Sequence, residues 1–359
     1  MPPAFPSKPP ILVQTRPELQ RLAQRLLVAP RVGVDTESNG FYAYFERVCL
    51  VQFTVAEDDY VVDALAFDDL QPLAAVFASP AVEKIFHAAE FDIISLKRDY
   101  GFEMAHLFDT MLAARMLGWR RYGLANILAE QFGVQQDKRF QRVDWGRRPL
   151  RSEELQYARL DTHYLPALRD LEWAELQARG RSGQAREAFQ RLTQVQGEAR
   201  SFAPDGYLRL AGARDLDPQG LHVLRALYRL RDAEARRADR APFRVIPDSA
   251  LVSLSQSLPT AVEELAHVRA LTPRLRGRFG SKIVKTVQEA LQEPPHTPTR
   301  RRGSPPDPEA QERYESLREW RRQVAEGEGV EPDVILPNQV LKDLVDSRPR
   351  TREGLIAID

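Results

Sequence analysis

Apolar and polar residues fall into blocks along the first half of the chain, and the period changes from block to block. Residues 10–13 (PILV) predict a short strand. Thr15 and Glu18 then form a T-x-x-E box ahead of the amphipathic run LQRLAQRLL, the pattern of a capped helix. Three apolar runs follow, RVGVDTE, RVCLVQFTV and DYVVDAL, separated by turn-like or charged stretches that suit a three-stranded meander. Next come a helix (DLQPLAAVFAS), a strand (VEKIFHA) and a helix (EFDIISLKRDYG). From Asp109 to about Gly180 the pattern is mostly helical, interrupted by QQDKRFQRVDWGRRPLR. Strands first, then alternating strand and helix, predict an α/β domain with a mixed sheet over residues 1–180.

Residues 181–214 read as a helical connection that ends in a short irregular linker. Beyond it lies an internal repeat. Leu227, Leu230, Arg231, Ile246, Pro247, Leu254, Pro259 and Leu265 recur as Leu317, Trp320, Arg321, Leu336, Pro337, Leu344, Pro349 and Leu355, at a constant offset of 90 residues. Two helical modules are expected, at 215–293 and 309–359, joined by a Pro/Arg-rich linker at 294–308 that composition makes extended. The counterpart of the first module's last stretch would fall beyond Asp359, so the second copy is expected to be incomplete.

A length of 359 residues fits two or three domains. The 51 basic and 51 acidic residues cancel, so net charge decides nothing about nucleic acid. The single cysteine, Cys49, lies in an apolar strand pattern, which excludes a disulfide framework and a cysteine zinc site. The start MPPAFPSKPP lacks a long apolar stretch, so no secretory signal is expected. No run approaches the length of a membrane span. A cytoplasmic monomer that meets no membrane is the expectation.

Four acids change the picture. Asp35 and Glu37 in RVGVDTES, Asp92 in IFHAAEFDII and Asp161 in LQYARLDTHYL all sit where apolar runs predict burial. Residues two apart on a strand share a face, so Asp35 and Glu37 point together. Residues four apart on a helix also share a face, which pairs Tyr157 with Asp161. Asp92 opens a helix. Taken singly, these residues read as a solvated strand edge, a helix N-cap, a surface helix residue and a core tyrosine. Taken together, converging carboxylates repel one another unless cations meet them. Two Mg²⁺ or Mn²⁺ ions would relieve that repulsion in a two-metal phosphoryl-transfer site, with oxygen ligands disfavouring zinc. In such a site one ion activates a water and the other stabilises the departing 3′ oxygen, while the Tyr157 hydroxyl can orient the water.

The chain resembles ribonuclease D, in the DEDD superfamily of 3′→5′ exonucleases and the subclass with tyrosine in its third motif. VDTE is similar to the first motif, HAAEFD to the second and YARLD to the third. FDTMLAARMLG, YGLANIL, DKRFQRVDWGRRPL and THYL extend the likeness over about residues 10–175. The resemblance implies a ribonuclease H-like fold. It also implies that Asp35 bridges both metals, that Glu37 and Asp161 complete the first metal's shell, and that Asp92 holds the second. The repeats resemble all-α HRDC modules.

The implied reaction removes nucleoside 5′-monophosphates from a single-stranded RNA 3′ end, with tRNA precursors as leading substrates. Residues 136–151 add weaker, independent support, with six basic residues (Lys138, Arg139, Arg142, Arg147, Arg148, Arg151) against Asp137 and Asp144. Trp145 and Phe140 are candidate stacking faces, with core packing the stronger reading for Trp145. His87 and Asp109 read as structural. Residues 207–293 carry a net +5 and residues 307–359 a net −5. The first module is therefore expected to contact RNA through Arg225, Arg229, Arg236, Arg237 and RLRGR. The second is expected to shape the particle or meet another protein surface. The rivals are a DNA exonuclease of the Werner-syndrome type, a non-catalytic nucleic-acid adaptor and a polymerase proofreading module.

Overall fold

The computed structural model describes residues 6, 8–197, 202–268, 270–295 and 307–358. These fall into two compact units. The first takes in the N-terminal domain to residue 198, without 38–47, together with 301–359. The second comprises 38–47 and 199–300.

In the first unit, strands β1 (Ile11–Val13), β2 (Arg31–Ser38), β3 (Val48–Val55), β4 (Asp58–Asp63), β5 (Glu83–Phe86) and β6 (Leu107–Asp109) form one sheet in the order β1-β4-β3-β2-β5-β6. It is mixed, as expected. β3 and β4 pair antiparallel, with Val51 opposite Val62 and Phe53 opposite Tyr60. The pairs β1–β4, β2–β5 and β5–β6 are parallel. All of β3 is buried, which explains its near-continuous apolar sequence.

The helices around the sheet are α1 (Arg16–Leu27), α2 (Ala74–Ala78), α3 (Glu90–Tyr100), α4 (Thr110–Met116), α5 (Leu124–Phe132), α6 (Ser152–His163), α7 (Leu165–Ala178) and α8 (Ser182–Thr193). Thr15 and Glu18 form the capping box read from the sequence. The core joins Leu19 and Leu26 of α1 and Leu96 of α3 to Val34, Phe53, Val62 and Phe86 of the sheet. Gly33 admits α6 to the sheet, because a Cβ there would lie 2.9 Å from the Thr162 carbonyl. The Thr54 and Thr162 hydroxyls share a hydrogen bond at 2.8 Å, fixing the same contact.

The second unit holds α9 (Pro218–Arg237), α10 (Pro242–Val245), α11 (Asp248–Ser257) and α12 (Pro273–Gln292), packed around Leu224, Leu227, Leu251, Leu254, Ile283 and Val287. Its counterparts in the second copy are α13 (Pro308–Glu328), α14 (Pro332–Ile335) and α15 (Asn338–Ser347), followed by α16 (Arg352–Ile356). The repeat is geometric as well as textual. Arg231 donates to the Ile246 carbonyl at 3.2 Å, and Arg321 donates to the Leu336 carbonyl at 2.7 Å. Leu258 and Arg348 both close their helices with positive φ, at 49° and 48°.

Among the described residues the second copy has no counterpart of α12. Leu227 is fully buried, whereas its equivalent Leu317 is only half-buried and Trp320 is 50% exposed. This copy belongs to the compact unit of the N-terminal domain. Its acidic residues meet arginines of that domain. Arg115 pairs with Glu331 at 2.9 Å, and Arg181 donates to the Glu328 carboxylate at 2.7 Å. The surface it meets is thus its own chain's. The linker expected at 294–308 lies mainly outside the described residues.

Candidate active site

β2 carries Asp35 and Glu37 side by side, and α6 presents Tyr157 and Asp161 one turn apart. Carboxylate oxygens of Asp35, Glu37 and Asp161 all lie within 4.8 Å of one another, and the three residues are half-buried. Asp92, in the first turn of α3, is not one of that trio, but it is tied to the same strand. The Thr36 backbone N–H donates to Asp92 Oδ1 at 3.1 Å, and the Thr36 hydroxyl bonds the same oxygen. Gln136 Nε2 donates to Asp161 Oδ1 at 2.9 Å. Nothing in the polar run around Gln136 marked it in the sequence.

The electrostatics are those of a site short of positive charge. Burial, followed by Asp92, Asp161 and Glu37, pushes the Asp35 carboxyl well above the ordinary carboxylate range. Glu37 rises through burial and then through Asp161 and Asp92, with the Trp145 indole pulling the other way. That indole N–H makes no hydrogen bond of normal length, so its pull is that of a nearby dipole. Burial lifts Asp92 to about 7 against its bonds from Thr36. Asp161 is lifted to about 7, again by burial, against the bond from Gln136. Burial and then Asp161, Glu37 and Asp35 raise the Tyr157 hydroxyl, so it stays protonated at neutral pH. Three converging carboxylates with held-up protons fit an oxygen-ligated divalent cation, which would displace those protons.

Residues 10–177 match the family model described as 3′-5′ exonuclease, and residues 220–287 and 310–359 match the HRDC domain. The chain therefore carries a 3′-5′ exonuclease domain followed by HRDC-type sequence. It is 31% identical over 300 residues to the exosome complex component 10 homolog of Caenorhabditis elegans, a match covering 80% of this chain and 33% of that protein. The chain therefore spans about a third of that relative's length. The catalytic core of RRP6 from Trypanosoma brucei superposes with a TM-score of 0.74 at 29% identity, covering 80% of this chain and 81% of that one. Escherichia coli RNase D shares the fold, with a TM-score of 0.68 at 23% identity over 94% of this chain and 90% of that one.

In this 3′-5′ exonuclease domain the basic stretch behaves differently from its sequence reading. Trp145 is 2% exposed and packs on Tyr157 with ring centroids 6.3 Å apart, while Phe140 approaches the same ring at 5.7 Å. Trp145 therefore supports the tyrosine and offers no face to a base. Arg148 donates to Asp63 at 2.9 Å and to the Trp145 carbonyl at 2.7 Å, which makes it a clamp within the domain. Arg147 pairs with the buried Glu154 at 2.9 Å, and Arg139 pairs with Asp137 at 2.5 Å. Arg142 is exposed, and the Lys138 side chain lies outside what is described.

In the first HRDC module Arg229, Arg236 and Arg237 are exposed and Arg225 is half-buried. Asp109 caps α4, accepting from Leu112 N at 2.9 Å and Ala89 N at 2.7 Å. His87 bonds Thr110 at 2.9 Å, and burial lowers it to about 4, so it is a neutral structural group. Among the described residues no helix is long and apolar enough to cross a membrane.

Proposed function

We propose that the chain is a 3′→5′ exoribonuclease that releases nucleoside 5′-monophosphates from single-stranded RNA 3′ ends. The convergence of Asp35, Glu37 and Asp161 beside Tyr157 carries this reading. Asp35, Glu37, Asp92 and Asp161 would hold two divalent ions, which when bound supply the positive charge that phosphoryl transfer needs. Hydrolysis forms a bond from water oxygen to phosphorus and breaks the bond from phosphorus to the 3′ oxygen. The leaving oxygen gains a proton as the water loses one. The protonated Tyr157 hydroxyl hydrogen-bonds the attacking water and sets its line of approach. Precursors of tRNA are the leading substrates, in the cytoplasm, with the chain acting as a monomer. The relatives named for the exosome make other RNA 3′ ends the natural comparison.

The deciding experiment digests matched 3′-tailed RNA and DNA with wild-type, Asp35→Ala and Asp161→Ala protein, with Mn²⁺ or with a chelator. Both variants should lose more than the roughly 10–100-fold typical of residues that only support metal ligands. Chelator should abolish turnover, and RNA should be cut faster than DNA. Turnover unchanged in chelator would end the metal assignment. Faster DNA digestion would overturn the substrate.

A further inference from the structure

Five large aromatic side chains are exposed among the described residues, and two of them, Phe41 and Phe243, meet in the second unit. Their ring centroids are 5.0 Å apart, with the rings 45% and 41% exposed. Arg244 joins them. Its guanidinium lies 3.8 Å from the centroid of the Tyr42 ring and 5.1 Å from that of Phe41. A third exposed ring, Phe45, is 54% exposed on the same segment of chain.

The segment 38–47 is held in place rather than draped. Asp239 accepts from the backbone N–H groups of Tyr44 at 3.0 Å and Phe45 at 2.9 Å. The Tyr44 hydroxyl donates to Asp232 at 2.9 Å, and Arg244 Nε donates to the Phe41 carbonyl at 2.7 Å. Asn39 accepts from the Arg47 N–H at 2.9 Å and closes the loop at its base. These bonds fix the backbone while leaving the phenylalanine rings in water. Such an arrangement leaves a large share of apolar ring surface in water, at a cost in free energy that burial inside the fold would have avoided. A preorganised surface of this kind loses little entropy when something binds it.

We propose that Phe41, Phe243 and Arg244 form a stacking platform for unpaired bases of RNA. Rings and a guanidinium plane side by side suit any base, because every base has a π-face. The surroundings favour nucleic acid over a protein partner. Arg236, Arg237 and Arg240 are exposed around Asp239, the residue that holds the loop, and residues 207–293 carry a net +5. Those charges suit a phosphate backbone running past the rings. The segment starts at the residue after Glu37 in the chain, so a base seated here is held by a loop continuous with the acid-bearing strand. The proposal rests on the reading of the chain as an RNA exonuclease and adds a base-stacking site outside the carboxylate cluster.

The test is fluorescence anisotropy in chelator, which measures binding without turnover. Its probes are a short single-stranded oligoadenylate and a blunt RNA duplex of equal length. Phe41→Ala and Phe243→Ala in the full chain should each weaken single-strand binding by roughly 5- to 150-fold, the range for loss of one stacked base, and barely change duplex binding. Phe41→Trp should bind at least as well as wild type. Unfolding temperatures should drop only modestly in both alanine variants and by the same amount with or without RNA, and Phe41→Trp should keep the wild-type value, so a fall in affinity reports the lost face and not unfolding. Wild-type affinity in both alanine variants would overturn the platform, as would equal losses on strand and duplex. Failure of the wild-type chain to bind either RNA would instead defeat the exoribonuclease reading itself.

Discussion

Asp59 on β4 accepts a hydrogen bond from Arg159 Nε of α6 at 2.9 Å, and both side chains are almost fully buried. The same carboxylate takes His163 Nδ1 at 2.9 Å and the Thr54 hydroxyl at 2.7 Å. Arg159 lies between Tyr157 and Asp161 on the helix, so this cluster sets the position of both.

Breaking the pair leaves a buried, uncompensated guanidinium. Asp59→Ala should therefore cost about 3–5 kcal/mol in urea unfolding, more than any exposed ion pair of this chain. Burial raises the Asp59 carboxyl, but the bonds from His163, Thr54 and Arg159 outweigh it and hold the group below its ordinary value. Its stabilisation is thus present above the usual carboxylate range and lost as pH falls through the lowered value. An Asp59→Ala protein as stable as wild type would show that α6 is held by Gly33 and Thr162 alone.

The site carboxylates have the opposite sign. Asp161 and Asp92 are lifted to about 7, and Asp35 and Glu37 rise as well, so the metal-free fold keeps protons that the unfolded chain would release. Their contribution is fully present below the unfolded carboxylate values and is lost as pH rises through about 7. In chelator the unfolding temperature should fall between pH 5 and pH 8, flattened by Asp161→Asn. Mn²⁺ should restore it, most strongly at the alkaline end, because ion binding then displaces fewer protons. Scanning calorimetry across that range checks the slope. A metal-free unfolding temperature that rises with pH would contradict it.

Tyr157 is raised by burial and by its three acidic neighbours, so it acts as a donor and not as a base. Tyr157→Phe keeps the ring packing against Trp145 and Phe140 and removes only the hydroxyl. We expect kcat to fall by roughly 10²–10³, the loss typical of one well-placed donor, with KM little changed. A loss expressed in KM alone would mean that the hydroxyl binds RNA instead of orienting water.

Part of this was legible in the chain and part was not, for physical reasons. Strand and helix periods are local, so Asp35 with Glu37 and Tyr157 with Asp161 could be paired from spacing alone. Asp59 is the second residue of a strand behind a turn, where aspartate is ordinary, and its partners lie 100 and 104 residues away. Gln136 carries no charge and no period. The basic stretch was readable as charge, but whether Arg148 meets phosphate or Asp63 is decided by a fold that sequence spacing does not encode. The acidity of the second HRDC copy was equally plain, whereas its partners sat unmarked, Arg115 in a helical pattern of the nuclease domain and Arg181 at the start of the helical connection.

Gln136 gives a test that separates support from ligation. Its amide donates to the Asp161 oxygen, so Gln136→Ala should free that carboxylate to rotate without removing it. The expected result is roughly 10–100-fold weaker Mn²⁺ activation, recovered at saturating metal. Asp161→Ala should not recover. If Gln136→Ala also fails to recover at saturating metal, the glutamine does more than orient Asp161.

The docking of the second HRDC copy rests on partly exposed ion pairs and is therefore expected to respond to salt. Arg115 bridges Glu331 and Asp333, whose side chains are about half exposed, and Arg181 reaches Glu328, so screening by salt should weaken each contact. Val334 packs on the nuclease core and Gly118 lies against the Gly329 carbonyl, which gives the contact an apolar and steric part that salt does not touch. Arg115→Glu turns two attractions into two repulsions while leaving that part in place. Hydrogen exchange over α14 and α15 should then speed up by about tenfold, equivalent to about 1.4 kcal/mol, with α9–α12 unchanged. In the wild type, raising ionic strength from about 0.1 to 1 M, where the Debye length falls from about 10 to 3 Å, should move exchange in the same direction. Exchange in α14 and α15 that ignores both salt and Arg115→Glu would mean that Val334 and Gly118 hold the copy in place and that its acidity serves another surface.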